Sequence, residues 1–246
     1  MEVTAIKQGD FKVDARKNFE YLQPGEQSKL IKMAVQPFVV KTSKDIVLLD
    51  TGLAFSDTDP SALVNLLREY GVDPLSVTKI LISHLHKDHA DGLGFFKDGA
   101  FIQNFPSAKI YIQKREYEYA LQQAESFSYN QSLLRELIHL PNMVWLTEDD
   151  GNLNGEIRFK VTGGHTPFMQ VFWISDGKQT CFYGADNLPT RGYLKRHLAF
   201  KTDYDGHKAM EYRKLWQKEA IAEHWTVLLY HDMETAVWDF KDVAEV

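Results

Sequence analysis

Residues 83–89 read Ser83-His84-Leu85-His86-Lys87-Asp88-His89, and they directly follow residues 77–82, a stretch that is typical of a β-strand. Side chains of types that bind metals occupy four of the last six positions: His84, His86, Asp88 and His89. In an extended chain, His84 and His86 point to the same side and can hold one ion. Asp88 and His89, at the turn into a helix, can face a second ion. Because neutral imidazole and carboxylate are zinc ligands, this stretch predicts a metal site at the end of a strand.

Two ions need more ligands than these residues supply, and the rest of the chain offers suitable candidates. Three more ligand-type residues follow predicted strands: His165, Asp186 and His231. The strand-like stretches before them lie at residues 159–164, 181–185 and 225–230. Strand ends along one sheet edge are where α/β proteins assemble functional sites. We therefore expect these three side chains to complete the metal site.

Strand and helix patterns alternate along the chain. A hairpin is predicted at residues 38–49, directly before Asp50-Thr51-Gly52. Asp59 as a cap and Pro60 at the first helical position predict a helix that ends at Gly71. Further strands are predicted at residues 110–112, 144–146, 157–161, 171–174, 179–183 and 225–230, and further helices at residues 115–124, 133–138 and 207–223.

The last of these helices, capped by Asp205, is predicted to face the core with four residues: Met210, Leu215, Trp216 and Ile221. No linker, low-complexity stretch or strict repeat interrupts the alternation of strands and helices. The sequence therefore predicts an α/β fold in a single domain over residues 1–246.

Composition and charge restrict the partners of the chain. The 246 residues include 28 Lys and Arg against 34 Asp and Glu, a net charge of −6. This balance argues against nucleic acid or an anionic membrane as a partner and favours a small-molecule substrate. The single cysteine, Cys181, is typical of a reducing compartment. No signal peptide pattern and no apolar run of ~20 residues is present, so we expect a cytoplasmic protein without a membrane partner.

In the order of its motifs, the sequence resembles the metallo-β-lactamase fold hydrolases from Asp50 to His231, which is most of its length. The family's strand-ending Asp-Thr-Gly corresponds to residues 50–52, its His-x-His-x-Asp-His motif to residues 84–89, and its Gly-His-Thr-Pro motif to residues 164–167. The resemblance implies a four-layer αββα sandwich. It also implies a bridging aspartate at Asp186.

The resemblance further implies how the ligands divide between two zinc ions per chain, with iron or manganese as alternative metals. The first metal takes His84, His86 and His165, the second takes Asp88, His89 and His231, and Asp186 bridges both. Asp50 is implied to orient a ligand instead of binding a metal itself. The other histidines are interpreted as packed or surface residues: His139, His197, His207 and His224.

Two residues differ from those of particular subfamilies and argue against the functions of these subfamilies. Asp186 stands where many class B β-lactamases have cysteine, and His86 stands where the flavodiiron oxidoreductases usually have glutamate. The surroundings of Asp186 and His231 look like those of the quorum-quenching N-acyl-homoserine lactone lactonases. Phe168 and Met169 replace a Gly-His pair that many relatives carry, so the substrate is less constrained than the chemistry.

The implied reaction is the opening of a lactone or carboxylic ester by a hydroxide that bridges the two metals, with Asp88 as the catalytic residue that carries a proton. An acyl pocket is predicted from the residues near the metal motifs: Phe168, Met169, Leu188 and Tyr193. Lactonase relatives use a tyrosine hydroxyl to hold the substrate oxygen, and the candidates here are Tyr183, Tyr193 and Tyr204. Asp91 and Asp232 are interpreted as turn caps.

Two other readings of the metal site stay open. The same site in the same fold can hydrolyse a phosphoester, a phosphotriester or a thioester. The second alternative is a protein that is not a hydrolase, either a mononuclear iron dioxygenase of the same fold or a metal-stabilised binding module. The sequence also leaves a homodimer open.

Overall fold

The computed structural model describes residues 1–54 and 62–241, so the predicted helix start at Asp59 and Pro60 lies outside the described residues. The chain divides into two compact units. The first unit comprises Glu2–Trp145, and the second comprises Met1 together with the chain from Leu146 onward.

The first unit is built on a mixed sheet. Its strands are β1 (Glu2–Ala5), β2 (Gly9–Val13), β3 (Phe19–Tyr21), β4 (Ile31–Val35), β5 (Phe38–Lys41), β6 (Ile46–Leu49), β7 (Lys79–Leu81), β8 (Gly94–Lys97), β9 (Ala100–Gln103), β10 (Lys109–Gln113) and β11 (Met143–Leu146). The main sheet has the order β1-β5-β6-β7-β10-β11, a smaller sheet has the order β3-β2-β4, and β8 pairs with β9.

Helices of the first unit bury apolar faces against this main sheet. They are α1 (Ala62–Glu69), α2 (Lys87–Ala90), α3 (Lys114–Leu121) and α4 (Gln131–Leu137). Leu67 of α1 and Leu134 of α4 belong to one buried cluster with Leu48, Ile80 and Ile110 of the central strands. Because helices this short are marginal alone, burial of these side chains, at about 1.5–3 kcal/mol each, holds them in place.

The second unit has its own six-stranded sheet, in which the strands follow one another in chain order. Its strands are β12 (Asp150–Leu153), β13 (Ile157–Val161), β14 (Gln170–Ser175), β15 (Thr180–Tyr183), β16 (Thr226–Leu228) and β17 (Val237–Asp239), and its helices are α5 (Arg191–Arg196) and α6 (Gly206–Glu223). Trp216 of α6 packs on Phe182 of β15, with ring centroids 4.9 Å apart, and Phe182 in turn contacts Trp225 at 5.1 Å. This aromatic cluster attaches α6 to the sheet.

Each unit contains parallel neighbouring strands, and one such pair in each unit positions candidate ligands. In the first unit β6 and β7 are parallel, so Asp50 and residues 84–89 leave the sheet at the same edge. In the second unit β15 and β16 are parallel, which brings Asp186 and His231 to one edge. β13 runs in the direction of β15 because both are antiparallel to β14, so His165 follows at that edge too.

Most of the predicted elements are confirmed. The hairpin at residues 38–49 is the antiparallel pair β5 and β6, and β13 has the predicted bounds. The strands predicted at residues 77–82 and 225–230 are shorter, at Lys79–Leu81 and Thr226–Leu228. Several elements had no prediction, namely β1 to β4, β8, β9, β12, β17 and α5. The predicted α/β class is confirmed.

One predicted core contact is wrong. Leu215 of α6 is 48 % exposed, whereas the next residue, Trp216, is 2 % exposed. Successive residues on an α-helix point about 100° apart, so both cannot face the same sheet, and the larger aromatic side chain takes the buried position. Met210 and Ile221 are half-buried, and the predicted cap is confirmed because the Asp205 carboxylate accepts a hydrogen bond from Lys208 N at 2.9 Å.

The helices at residues 1–54 and 62–241 include none that is long and apolar enough to cross a membrane.

Candidate metal centre

The carboxylate of Asp50, which is fully buried after β6, organises the residues that follow β7. Its Oδ1 accepts a hydrogen bond from Ser83 N at 2.7 Å, and its Oδ2 accepts from Ser83 Oγ at 2.6 Å and from His89 Nδ1 at 2.7 Å. Ser83 Oγ also lies 3.0 Å from His84 Nδ1, and it accepts there because its own proton is donated to Asp50. His84 and His89 therefore carry their protons on Nδ1, which leaves Nε2 of each available as a metal ligand.

This network holds Asp50 in the left-handed backbone region, with φ at 55°. That conformation costs about 1 kcal/mol for a residue with a Cβ, although Asp is among the residue types that tolerate it. The hydrogen bonds to the Asp50 carboxylate, together with the bond from Asp50 N to Leu81 O at 3.0 Å, offset the cost.

The ligand atoms of the first unit are close enough to share ions. His84 Nε2 lies 3.1 Å from His86 Nδ1, and Asp88 Oδ2 lies 3.7 Å from His89 Nε2. The ligand atoms of His84 and His89 lie within 4.8 Å of one another. A tetrahedral zinc ion with Zn–N bonds near 2.0 Å holds two nitrogens about 3.3 Å apart, so the separation of the His84 and His86 nitrogens fits a shared zinc ion.

In the second unit, the carboxylate of Asp186 faces two imidazoles. Asp186 lies in a short 3-10 turn, Ala185–Asn187, directly after β15. Its Oδ2 lies 3.4 Å from His165 Nε2, and its Oδ1 lies 3.1 Å from His231 Nε2. Each oxygen is thus directed at a different histidine. Nitrogen and carboxylate oxygen are ligands that zinc accepts, so the donor set of this unit also fits the metal.

Asn187 fixes the loop that carries His165. It is fully buried, its Oδ1 accepts a hydrogen bond from His165 N at 2.9 Å, and its Nδ2 donates to Gly163 O at 2.7 Å. Gly164 lies against this amide with φ at +100°, and a Cβ added there would lie 2.4 Å from Asn187 Oδ1. The loop therefore requires a residue without a side chain at position 164.

Substitution of Gly164 by Ala is expected to destabilise the protein by more than the cost of positive φ alone, because the new methyl group displaces Asn187. Gly177→Ala is the matched control, since Gly177 has φ at +82° but no atom within 4 Å of an added Cβ. Thermal unfolding should show a loss of about 1 kcal/mol for Gly177→Ala and about 2–4 kcal/mol for Gly164→Ala. Equal losses in the two variants would contradict the role given to the Asn187 contact.

The sequence interpretation missed three residues that support the second-unit ligands: Asn187, Asp203 and Arg213. Asp203 Oδ1 lies 2.9 Å from His165 Nδ1, on the side of the ring away from Asp186. Arg213 is fully buried in α6 and donates from Nη1 to Asn187 O at 2.8 Å. Asn187 directly follows the predicted ligand Asp186, and this position is a sequence signal that could have identified it. No local sequence pattern identifies Asp203 or Arg213.

The predicted pocket residues differ in accessibility. Met169 and Leu188 are buried, at 0 % and 1 % exposure, whereas Phe168 and Tyr193 are half-buried and present side-chain surface. Among the candidate tyrosines, Tyr183 is buried and Tyr204 is exposed. Burial, and next the negative charges of Asp186 and Asp203, raise the pKa of Tyr193 to about 12. The Tyr193 phenol is therefore protonated at neutral pH and can donate a hydrogen bond.

The two carboxylates interpreted as turn caps have different surroundings. Asp232 caps a turn as predicted, because its Oδ1 accepts hydrogen bonds from Glu234 N at 3.1 Å and Thr235 N at 2.8 Å. Asp91 begins a 3-10 turn, Asp91–Leu93, and lies almost completely out of solvent. Burial raises the pKa of Asp91 to about 7, against the opposing effect of a hydrogen bond with Asn130.

Comparisons with known proteins identify relatives of this arrangement. An N-acyl homoserine lactonase of Bacillus sp. is 29% identical over 235 residues, which cover 87% of this chain and 86% of the relative. AidC, described as a dizinc quorum-quenching lactonase in complex with a product, N-hexanoyl-L-homoserine, has a structure with a TM-score of 0.68 and 25% identity, covering 84% of this chain and 75% of AidC. Both relatives are named as lactonases, and AidC is described as a dizinc enzyme.

The fold extends over almost the whole chain. The structure of a probable metal-dependent hydrolase from Staphylococcus aureus matches with a TM-score of 0.77 and 16% identity, covering 99% of this chain and 94% of that protein. The family model of the metallo-beta-lactamase superfamily matches residues 32–231, a range that includes every predicted metal ligand. The predicted fold class is confirmed, and the chain belongs to the metallo-beta-lactamase superfamily.

Proposed function

We propose that this protein is a dinuclear zinc hydrolase that opens N-acyl-homoserine lactones. The observation that carries the proposal is the Asp186 carboxylate, whose oxygens face His165 Nε2 at 3.4 Å and His231 Nε2 at 3.1 Å. His165 and His231 are assigned to different metals, and a carboxylate that directs one oxygen to each is arranged as a bridging ligand.

The proposed ligand set comprises every predicted metal ligand. One zinc ion would be held by His84, His86 and His165 and the other by Asp88, His89 and His231, with Asp186 as a ligand of both. Two ions with about four ligands each need a set of this size. The family model supports the assignment, because its match to residues 32–231 includes all of these residues.

When bound, zinc lowers the pKa of a coordinated water toward ~7 and polarises a carbonyl group as a Lewis acid. The chain's own residues supply orientation and proton transfer. Asp50, directly and through Ser83, holds His89 and His84 with their Nε2 atoms available. The Tyr193 phenol, which is half-buried and protonated at neutral pH, would donate a hydrogen bond to a substrate oxygen. Asp88 accepts the proton of the attacking water on its carboxylate and passes it to the leaving alkoxide.

The overall reaction consumes one water. The lactone carbonyl carbon gains a bond to the water oxygen and loses its bond to the ring oxygen, which leaves as an alkoxide and is protonated to a hydroxyl group. The new carboxylic acid ionises at neutral pH and releases one proton per turnover. The lactone class is proposed because named relatives that match over most of this chain are N-acyl homoserine lactonases.

Acid release from zinc-loaded protein provides the test. A pH-stat panel should offer short-chain and long-chain N-acyl-homoserine lactones beside an aryl ester, a thioester and a phosphotriester. We expect preferential opening of the lactones, and His84→Ala should abolish it while His139→Ala, a substitution of an exposed histidine, leaves it unchanged. Turnover of the phosphotriester or thioester with no lactone opening would replace the proposed substrate. Wild-type turnover by His84→Ala would overturn the site assignment.

A further inference from the structure

The segment between α5 and α6 carries a carboxylate that contacts a proposed ligand from behind. Asp203 Oδ1 lies 2.9 Å from His165 Nδ1, while His165 Nε2 faces Asp186 at 3.4 Å. The side chain of Asp203 is only 5 % exposed, so water does not compete for this hydrogen bond as it does at the surface. An imidazole that donates from Nδ1 to a carboxylate presents the lone pair of Nε2 on its other side.

The backbone around Asp203 holds it in this position. Tyr204 N donates to His165 O at 3.1 Å, and Asp205 N donates to Gly164 O at 2.8 Å, so residues 204 and 205 run beside the loop of the ligand. At Gly206 an added Cβ would lie 2.3 Å from Phe200 O. The turn from Phe200 to Gly206 therefore closes tightly, and the carboxylate is placed by backbone contacts that do not depend on a metal.

A buried cation provides the charge that balances this carboxylate. Arg213 donates hydrogen bonds to the carbonyl oxygens of Asn187 and Leu198, and its guanidinium lies 5.2 Å from the ring centroid of Tyr193. Burial lowers the pKa of Arg213, and the nearby charge of Asp203 opposes this effect. Arg213 thus holds both ends of the segment that leads to Asp203.

We propose that Asp203 is the positioning residue for His165, and that it sets the ring orientation and the Nδ1–H tautomer with which His165 meets a metal. The identity of His165 as a metal ligand rests on the proposed function. The tautomer of His165 is a property of the metal-free chain. The assignment adds a residue to the site that lies 38 positions along the chain from the histidine it orients. Arg213 and the turn at residues 200–206 keep Asp203 in place.

The tautomer of His165 in the metal-free full-length chain is the first measurement. Long-range ¹⁵N–¹H spectra should show Nδ1–H in the wild type and a shift toward Nε2–H in Asp203→Ala. Zinc affinity, measured by competition with a chromophoric chelator, should fall about 10–100-fold in Asp203→Ala. Asp203→Asn keeps an acceptor oxygen without the charge, so its zinc affinity should fall by about tenfold, the lower end of that range.

Asp205→Ala is the matched control, because Asp205 lies on the same segment but caps α6 through Lys208 N. It should reduce thermal stability while zinc affinity stays within about twofold of the wild type, since a lost cap acts on the helix and not on the ligand. An unchanged His165 tautomer and unchanged zinc affinity in Asp203→Ala and Asp203→Asn would overturn the proposal. If Asp203→Ala does not fold, Asp203→Asn decides. Zinc binding that depends on Asp203, without lactone turnover, would refute the proposed function alone.

Discussion

Asp186→Asn is expected to abolish lactone turnover and to reduce the zinc content from two ions per chain toward one. The amide keeps the shape of the side chain, but its nitrogen cannot coordinate a metal, so one of the contacts now directed at 3.1 and 3.4 Å toward the histidines is lost. Loss of an outer partner of a metal ligand costs about 10–100-fold in activity, so loss of a shared ligand should cost at least about 100-fold. Turnover and metal content by plasma emission measure both effects.

Asp239→Asn is the control for the change in charge, because Asp239 is about half exposed at the end of β17. It should leave kcat/KM and zinc content at wild-type values. The far-UV circular dichroism of Asp186→Asn should also match the wild type, since Asp186 follows β15 instead of lying within it. Two zinc ions and wild-type turnover in Asp186→Asn would exclude the bridging role.

Trp216→Ala is expected to cause the largest loss of folding stability. The side chain is 2 % exposed and contacts Phe182 at 4.9 Å between ring centroids, and its removal leaves a cavity between α6 and the sheet of the second unit. Loss of a buried tryptophan costs about 3–5 kcal/mol, which is a large part of the ~5–15 kcal/mol that holds a typical domain folded. Urea unfolding of the metal-free protein, followed by fluorescence and circular dichroism, measures this change.

The adjacent residue supplies a matched control on the same helix. Leu215→Ala removes a side chain that is 48 % exposed and improves helix propensity slightly, so its unfolding free energy should change by less than about 0.5 kcal/mol. If both substitutions cost the same, the assignment of Trp216 to the buried face would be wrong.

Sequence patterns identified the elements whose pattern lies within their own residues. The hairpin at residues 38–49 shows two apolar runs that flank a polar turn, and strand β13 alternates apolar and basic residues. The ligand motif at residues 84–89 is contiguous. Strands β1 to β4 were not predicted because they are short and show no long apolar run. Their pairing depends in part on strands farther along the chain, as β1 pairs with β5 and β2 with β4. Leu215 was misplaced since hydrophobicity alone does not choose between two adjacent apolar residues of a helix.

In the candidate site, too, local sequence identified some residues, whereas others depend on contacts between distant parts of the chain. Residues that the proposal assigns to metals were recognisable because each follows a predicted strand, and the sheet order brings such ends to one edge within a unit. Asp203 and Arg213 were not recognisable, because their contacts form only when α6 and the turn before it fold back onto the loop of His165. The residues next to Asp203 and Arg213 in the sequence do not predict these contacts.

The Asp50 carboxylate joins Ser83, His84 and His89 through one set of hydrogen bonds, and this restricts how the sequence can change over evolutionary time. A substitution at any of these positions alters the protonation pattern at the others, so their effects are not additive. Two substitutions that are each neutral alone can therefore be harmful together, because both act on the hydrogen bonds of the Asp50 carboxylate. A lineage that exchanges one of these residues must pass through an impaired intermediate or change several positions together.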